Sequence, residues 1–343
     1  MPKQSKVTIY SVAERAGVSI STVSLAVNAP HRVSESTRAR VIAAAGALGY
    51  RLGAPAGRET TGTRITVAAP FSTYSTYFRR FAGMLARARD TAVELTAHDL
   101  DSAASASAPL LDALPARRGV DGLIVMGVPL GTAATRASRE SALPLVLIDV
   151  RRARPVGHEA PVVLVDDKEG GRLVGEHLRE RGHRRVVYLG EPQLSQDYIS
   201  AGTLRMEGLS EFVEFDRVTC PLGADPTRAL KAALSAPDAP TAIVANHDEL
   251  ASRAWRSVTS LGLSVPDDVA IVGFDDGPLA DGLGLTTVRQ PFEESGRAAL
   301  ELVLGLTAGT SAPVRRIDLV PSLVVRGSTD GGAAPHPGAS AGR

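Results

Sequence analysis

The stretch from Val7 to Tyr50, VTIYSVAERAGVSISTVSLAVNAPHRVSESTRARVIAAAGALGY, constrains the start of this chain more than any other feature. Its punctuation predicts three short helices. Ser11 is placed to cap the first, whose apolar positions Val12, Ala13 and Ala16 share one face. Gly17 supplies the left-handed turn that ends it, and Val18 plugs the gap between helices. Ser19 caps a second helix to about Val27, with Val23, Ala26 and Val27 on its buried side. Pro30 breaks the chain after Asn28, and Ser34 caps a third helix that runs to Leu48 and closes at Gly49. There Val41, Ala44, Ala45 and Leu48 cover the other two. Helices this short cannot stand alone, so they pack into a compact unit that presents the second outward, a helix-turn-helix.

That outward face carries Ile20, Ser21, Ser24 and Leu25, hydroxyls and bare aliphatics where a solvated face would carry Lys and Glu. Charge is uneven too. Residues 1–58 hold eight Lys and Arg against two Glu, a net +6, whereas the whole chain is only +1. A basic head on an acidic body is the asymmetry expected when the head alone meets phosphate. An ordinary small helical bundle explains neither feature.

The run VTIYSVAERAGVSISTVSLAVN, continuing through Tyr50, resembles the N-terminal domain of the LacI/GalR family of bacterial transcription regulators. Its A-x-x-A-G-V-S-x-x-T-V-S pattern, with Asn28 four residues on, is specific to that family. The resemblance implies double-stranded DNA as partner, bound as a pseudo-palindromic operator by a homodimer whose symmetry supplies the second half-site. It places Ile20, Ser21 and Leu25 at the positions that read bases. Thr22, Ser24 and Asn28 join the basic arm of residues 1–6 on phosphates. Two of the three readers are apolar, so thymine methyl contacts are expected to outweigh bidentate guanine contacts.

Residues 51–63, RLGAPAGRETTGT, read as a linker. In the family this hinge folds on operator DNA and wedges a leucine into the minor groove. Here Glu59 stands at the expected leucine position, and Pro55 and Gly57 weaken any helix, so the hinge departs from the family pattern.

From Arg64 onward the periodicity alternates β with α. Strand-like runs are ITVAAP (65–70), GLIVMG (122–127), PLVLIDV (144–150), PVVLVDD (161–167), RRVVYLG (184–190), TAIVANH (241–247) and DVAIVGFDD (268–276). Most are continuous and rich in Val, Ile and Leu, as strands buried on both faces are. Helical segments such as Phe78–Thr91, Glu169–Arg181 and Asp248–Leu261 lie between them. The fold class is therefore α/β, a small all-α head followed by two parallel-sheet lobes. The resemblance makes these Rossmann-like lobes of the type I periplasmic-binding-protein kind, with an effector bound between them and crossings near Asp166, Gln290 and Pro321. The domains read as 1–50 head, 51–63 hinge, 64–327 effector-binding and dimerisation domain, and 328–343 disordered tail, which from Gly331 is mostly Gly, Ala, Pro and Ser.

Ligands of parallel α/β lobes lie beyond the carboxyl ends of the strands. After the first strand comes FSTYSTYFRRF, which holds five of the chain's 14 aromatics. Phe71, Tyr74 and Tyr77 can wall a pocket and stack on a sugar face, while Phe81 belongs to the core. Asp149, His247, Asp248 and Asp275 sit at strand ends where they can take ligand hydrogen bonds, with helix capping as the rival role, held evenly at Asp248. The resemblance adds Arg205 and matches Asp149 and Asp275 to effector contacts. It also marks His247 as a departure, since the family has Asn-Asp where this chain has His247-Asp248. His158, His177 and His183 are scattered and expected on solvated surfaces.

The enzyme motifs are missing: no Walker loop, no G-x-G-x-x-G after the first strand, no H-E-x-x-H, no G-x-S-x-G. No metal site and no cofactor are expected. Cys220 is the only cysteine and reads as core filler in a reducing compartment. With no apolar run long enough for a bilayer and no leader, a cytoplasmic protein is expected. The expectation is a DNA-binding regulator, by default a repressor, controlled by a small-molecule effector of the sugar or related-metabolite class. A sugar-binding protein without DNA regulation and an enzyme on a Rossmann-like core remain as rival readings.

Overall fold

A computed structural model describes residues 8–29, 32–48, 50, 62–100, 120–128, 143–151, 160–193, 198–236, 238–310 and 315–330. The basic arm, the hinge residues Pro55, Gly57 and Glu59, His158 and residues 331–343 lie outside them.

The head is three helices: α1 (Ile9–Ala16), α2 (Ile20–Asn28) and α3 (Glu35–Ala47). The first begins earlier than its Ser11 cap predicted. Thr8 takes the cap position, and Ser11 is the third helical residue, its Oγ accepting the Thr8 N–H at 3.3 Å. The reciprocal cap lets the helix start on Ile9, whose side chain joins the core. Gly17 ends α1 at φ 64°. Ser19 accepts the Thr22 N–H and Ser34 the Thr37 N–H, so both predicted caps are in place. Val12, Val23, Ala26, Val41 and Ala45 are wholly buried together, with Ile9, Val18, Leu48 and Tyr50 packed around them.

The rest of the chain forms two compact units and passes between them after Leu164, Pro291 and Ile317. The first contains β1 (Thr63–Ala69), α4 (Thr76–Ala88), β2 (Val93–Asp99), β3 (Gly122–Met126), β4 (Leu145–Ile148) and β5 (Val162–Val165). Then come α5 (Asp167–Glu180), β6 (Arg185–Gly190), α6 (Ala201–Leu209), β7 (Glu214–Thr219), α7 (Thr227–Leu234) and β8 (Ala242–Ala245). The second unit continues with α8 (Asp248–Ser260), β9 (Ala270–Asp275), α9 (Pro278–Leu283) and β10 (Thr286–Arg289). The chain closes with α10 (Phe292–Ala308), β11 (Arg316–Leu319), β12 (Ser322–Val324) and a 3₁₀ turn at Gly327–Thr329.

The two sheets share one plan. Their strand orders are β11-β5-β4-β3-β1-β2 and β12-β10-β9-β8-β6-β7. In the first, β1 runs parallel to both β2 and β3, from Thr63↔Val93 on one side and Ile65↔Gly122 on the other. In the second, β6 runs parallel to β7 and β8 in the same way. The central strands β3, β4 and β8 are buried at every position, which is why each reads as an unbroken apolar run.

Two further expectations are corrected. His177 and His183, assigned to solvated surfaces, are only 5% and 1% exposed. His177 lies on the inner face of α5, where Arg181 can only donate to its Nδ1 (3.0 Å), so Nε2–H points at Thr329 Oγ1 (2.8 Å). His183 packs with Nδ1 2.8 Å from Thr241 Oγ1. The disordered tail does not begin at 328 either. Ser328 and Thr329 are fully buried, Ser328 donating to the Ile271 carbonyl and Thr329 bonded to Thr286. Short hydroxyl side chains let this segment satisfy its polar groups while covering the sheet.

Candidate functional sites: a recognition helix and two strand-end clusters

Helix α2 presents its outer face from a rigid base. Val23 and Ala26 anchor it, and its first turn is closed by Ser19, whose Oγ lies 2.8 Å from Thr22 Oγ1 and 3.1 Å from the Thr22 N. Ile20 is 38% exposed, Ser21 and Ser24 are exposed, and Leu25 is half-buried. Ile20, Ser21, Ser24 and Leu25 therefore share the face predicted to meet DNA. The Asn28 side chain lies outside the described atoms.

In the first lobe, the ends of β1, β3 and β4 gather one cluster. Asp149 follows β4 in a left-handed conformation (φ 52°), and Arg80 of α4 donates from Nη2 to its Oδ2. The Arg80 guanidinium is buried, stacked over the Phe292 ring at 4.1 Å and beside Tyr77 at 5.4 Å. The Tyr77 hydroxyl lies over the backbone of Gly127, where any Cβ would collide with it. Tyr74 meets Tyr77 edge-on at 6.2 Å. Tyr74, Tyr77 and Asp149 are thus brought together. Phe71 is not: it is 6% exposed and packs on Phe78 (5.1 Å) and Phe81 (5.8 Å), filling the core beneath.

The second lobe has its own cluster. Arg205 is buried on α6, with Nε 2.9 Å and Nη2 2.8 Å from Asp167 Oδ1, and its guanidinium stacks on Phe274 at 4.3 Å. Its Nη1 donates to the Asn246 carbonyl, and Tyr188 Oη donates to Asn246 Oδ1 at 2.8 Å. Burial pushes the Tyr188 hydroxyl above its ordinary range. Asp275, at φ 108°, accepts from Gln290 Nε2 at 2.7 Å. Asp276 follows at φ 52° and is held by Arg289 and Arg326, whose hydrogen bonds outweigh burial and keep its carboxyl below the usual range. Among the described residues, Asp149, Asp275 and Asp276 are the non-glycine residues with positive φ, and backbone strain of this kind gathers at functional sites.

The pair His247-Asp248 behaves differently from expectation. Capping falls to His247, whose Nδ1 accepts the Leu250 N–H at 3.2 Å while Nε2 lies 3.1 Å from Glu191 Oε1. Asp248 is the first helical residue rather than the cap. It is 4% exposed, with Oδ2 accepting the Gly277 N–H (2.9 Å) and Oδ1 the Thr287 hydroxyl (2.7 Å). It ties α8 to the ends of β9 and β10 instead of offering its carboxylate to a ligand. Burial first, and then nearby Asp275, push its carboxyl up to about 7. Sequence reasoning had not identified Arg80, Asp167, Phe292 or Gln290 as parts of these clusters.

Similarity to known proteins accords with this arrangement. The family described as bacterial regulatory proteins, lacI family, matches residues 8–51, and the periplasmic binding protein-like domain matches residues 176–329. The HTH-type transcriptional regulator reg1 of Streptomyces lividans is 31% identical over 342 residues, spanning 94% of this chain and 96% of its own. Among solved structures, the complex of the transcriptional regulator CelR with cellobiose is 27% identical, with a TM-score of 0.63 over 94% of this chain and 100% of its own. The lac repressor dimer bound to operator and the anti-inducer ONPF is likewise 27% identical, with a TM-score of 0.63 over 95% and 99%. The chain belongs to the lacI family of bacterial regulatory proteins: it is a DNA-binding transcriptional regulator, not an enzyme.

Proposed function

We propose that this protein is a cytoplasmic repressor that binds a pseudo-palindromic operator as a homodimer and releases or tightens it in response to a sugar. The observation that carries the reading is the outer face of α2, where Ile20, Ser21 and Leu25 stand on a closed core with no Lys or Glu among them. Ile20, Ser21 and Leu25 read bases, and Thr22 and Ser24 lie along phosphate. Tyr74, Tyr77 and Asp149 in one lobe, and Arg205, Asp275 and His247 in the other, stand where an effector is taken. Cellobiose in the CelR complex supports a carbohydrate, and the operator-bound lac repressor dimer supports two-fold binding. No described helix is long and apolar enough to cross a membrane.

Selection of genomic DNA fragments by the full-length protein tests the reading. Wild type is expected to enrich an inverted repeat, and Leu25→Ala to lose preference at the thymine steps by about 1–3 kcal/mol per half-site. Enrichment of no sequence, or an unchanged preference in the variant, would overturn the assignment of α2.

A further inference from the structure

The two lobes repeat one arrangement down to single residues, and the repeat singles out Arg80. By strand order β1 corresponds to β6 and β4 to β9, so α4 corresponds to α6 and Asp149 to Asp275. The helix packed on each is also equivalent: α10 lies on α4, and α5 lies on α6. Glycines fix the register of both pairs. A Cβ on Gly83 would collide with the Glu293 carbonyl and one on Gly296 with the Arg80 carbonyl. In the other lobe, Gly208 meets the Lys168 carbonyl and Gly171 the Arg205 carbonyl. Arg80 stands three residues before Gly83 as Arg205 stands three before Gly208. Arg80 is therefore the first lobe's counterpart of Arg205.

The surroundings of the two arginines differ, first on the packed helix. Phe292, four residues before Gly296, occupies the position that Asp167 holds four before Gly171. Arg205 places Nε and Nη2 on Asp167 and Nη1 on Asn246. Arg80 has the Phe292 ring instead, turns Nη2 to Asp149, and keeps a buried Nε–H with no acceptor among the described residues. A guanidinium that is nine-tenths buried and short of one acceptor retains donor capacity. Beside it, the Asp149 carboxylate supplies acceptors and Tyr77 an aromatic face. Donor and acceptor side by side under an aromatic wall suit two neighbouring hydroxyls on a sugar ring. The guanidinium charge is already met by Asp149, so the arrangement does not call for an anion.

We propose that Arg80 is a specificity-determining residue of the effector site, and that with Asp149 it takes a vicinal diol of an uncharged sugar. The proposal rests on the sugar-responsive reading above, and the experiment separates the two. The full-length protein is titrated by calorimetry with cellobiose, maltose, ribose and glucose, with gluconate and glucose 6-phosphate as anionic probes. The sugar that binds is then compared with its monodeoxy analogues in wild type, Arg80→Lys and Arg80→Gln.

In wild type, loss of one of two adjacent hydroxyls is expected to weaken binding more than about tenfold. In both variants the analogue lacking the hydroxyl that faces Arg80 should bind within about twofold of the parent sugar, while the penalties at other hydroxyls, the one on Asp149 included, persist. A purely structural role would weaken sugar and analogues alike. Uniform weakening, or unchanged discrimination, overturns the role of Arg80. Binding of only gluconate or glucose 6-phosphate, or of no probe, overturns the ligand class. Operator selection by wild type is read separately, so its failure marks failure of the regulator reading itself.

Discussion

His177 and His183 show how a residue's environment, not its type, decides its chemistry. Burial, aided by the Arg181 charge, lowers both imidazoles to about 4. Below an ordinary value of 6.5 the unfolded chain takes up protons that the folded one refuses. Their contribution is therefore complete above about pH 6.5 and is lost as pH falls toward 4, on the order of a few kcal/mol in all. NMR titration should find these two rings neutral at pH 5.5; midpoints near 6.5 would mean they are not enclosed. Asp248 has the opposite sign. With its carboxyl raised to about 7, the folded form keeps a proton that the unfolded chain has given up, so stability falls as pH rises from about 4 to 7. Asp248→Asn, which keeps an acceptor for the Gly277 N–H, should gain on wild type over that range by up to about 4 kcal/mol and then level off. Urea unfolding at pH 5, 6, 7 and 8 reads this directly; a constant difference between the two proteins would contradict it. Neither environment was legible in the sequence. His177 is covered by Thr329, 152 residues away, from a segment whose composition looked disordered.

Elements buried on both faces were legible, and those at the rim were not. The runs at β3, β4, β8 and β9 announce themselves because every residue needs an apolar neighbour. The edge strands β2 (VELTAHD) and β7 (EFDRVT) were not recognised. Both mix half-buried and exposed positions with charged residues, as solvated edges do, and so look like loops. The clusters at the strand ends were half legible for the same reason. Asp149 and Asp275 could be read from their place after apolar runs, whereas Arg80 required knowing that α4 and α10 touch. That contact is itself testable through its glycines. In an isolated helix Gly→Ala gains up to about 1 kcal/mol of propensity. At Gly83 the new methyl would meet a backbone carbonyl of the packed helix, which cannot swing aside as a side chain would. Gly83→Ala should therefore destabilise by about 1–3 kcal/mol, the sign opposite to propensity. Gly208→Ala in the second lobe should do the same, since it meets the Lys168 carbonyl in the equivalent place. A raised melting temperature in either variant would show that the helices can part without cost.

Over the whole molecule, charge and chemistry are divided between parts. The net +6 of residues 1–58 belongs to the head and the start of the hinge, while the strand-end clusters, with their compensated arginines, belong to the lobes. Operator binding should therefore weaken steeply with salt through release of counterions from DNA. Binding of an uncharged sugar should scarcely respond. Communication between the two sites is a single coupling free energy, typically about 1–3 kcal/mol, or roughly 5–150-fold in affinity. Linkage makes the coupling reciprocal. If the sugar changes operator affinity by some factor, saturating operator must change sugar affinity by the same factor, whichever way the ligand acts. Fluorescence anisotropy with labelled operator at zero and saturating sugar gives the first factor. Calorimetry with and without saturating operator, at the same salt and protein concentration, gives the second. The two are expected to agree within error and to differ from one. Factors of one on both sides would leave a DNA-binding protein and a sugar-binding protein merely joined in one chain. Unequal factors would mean that a third equilibrium, such as dimer dissociation, moves with one ligand and not the other. Repeating the pair of titrations at tenfold higher protein would expose that equilibrium, because only assembly depends on protein concentration.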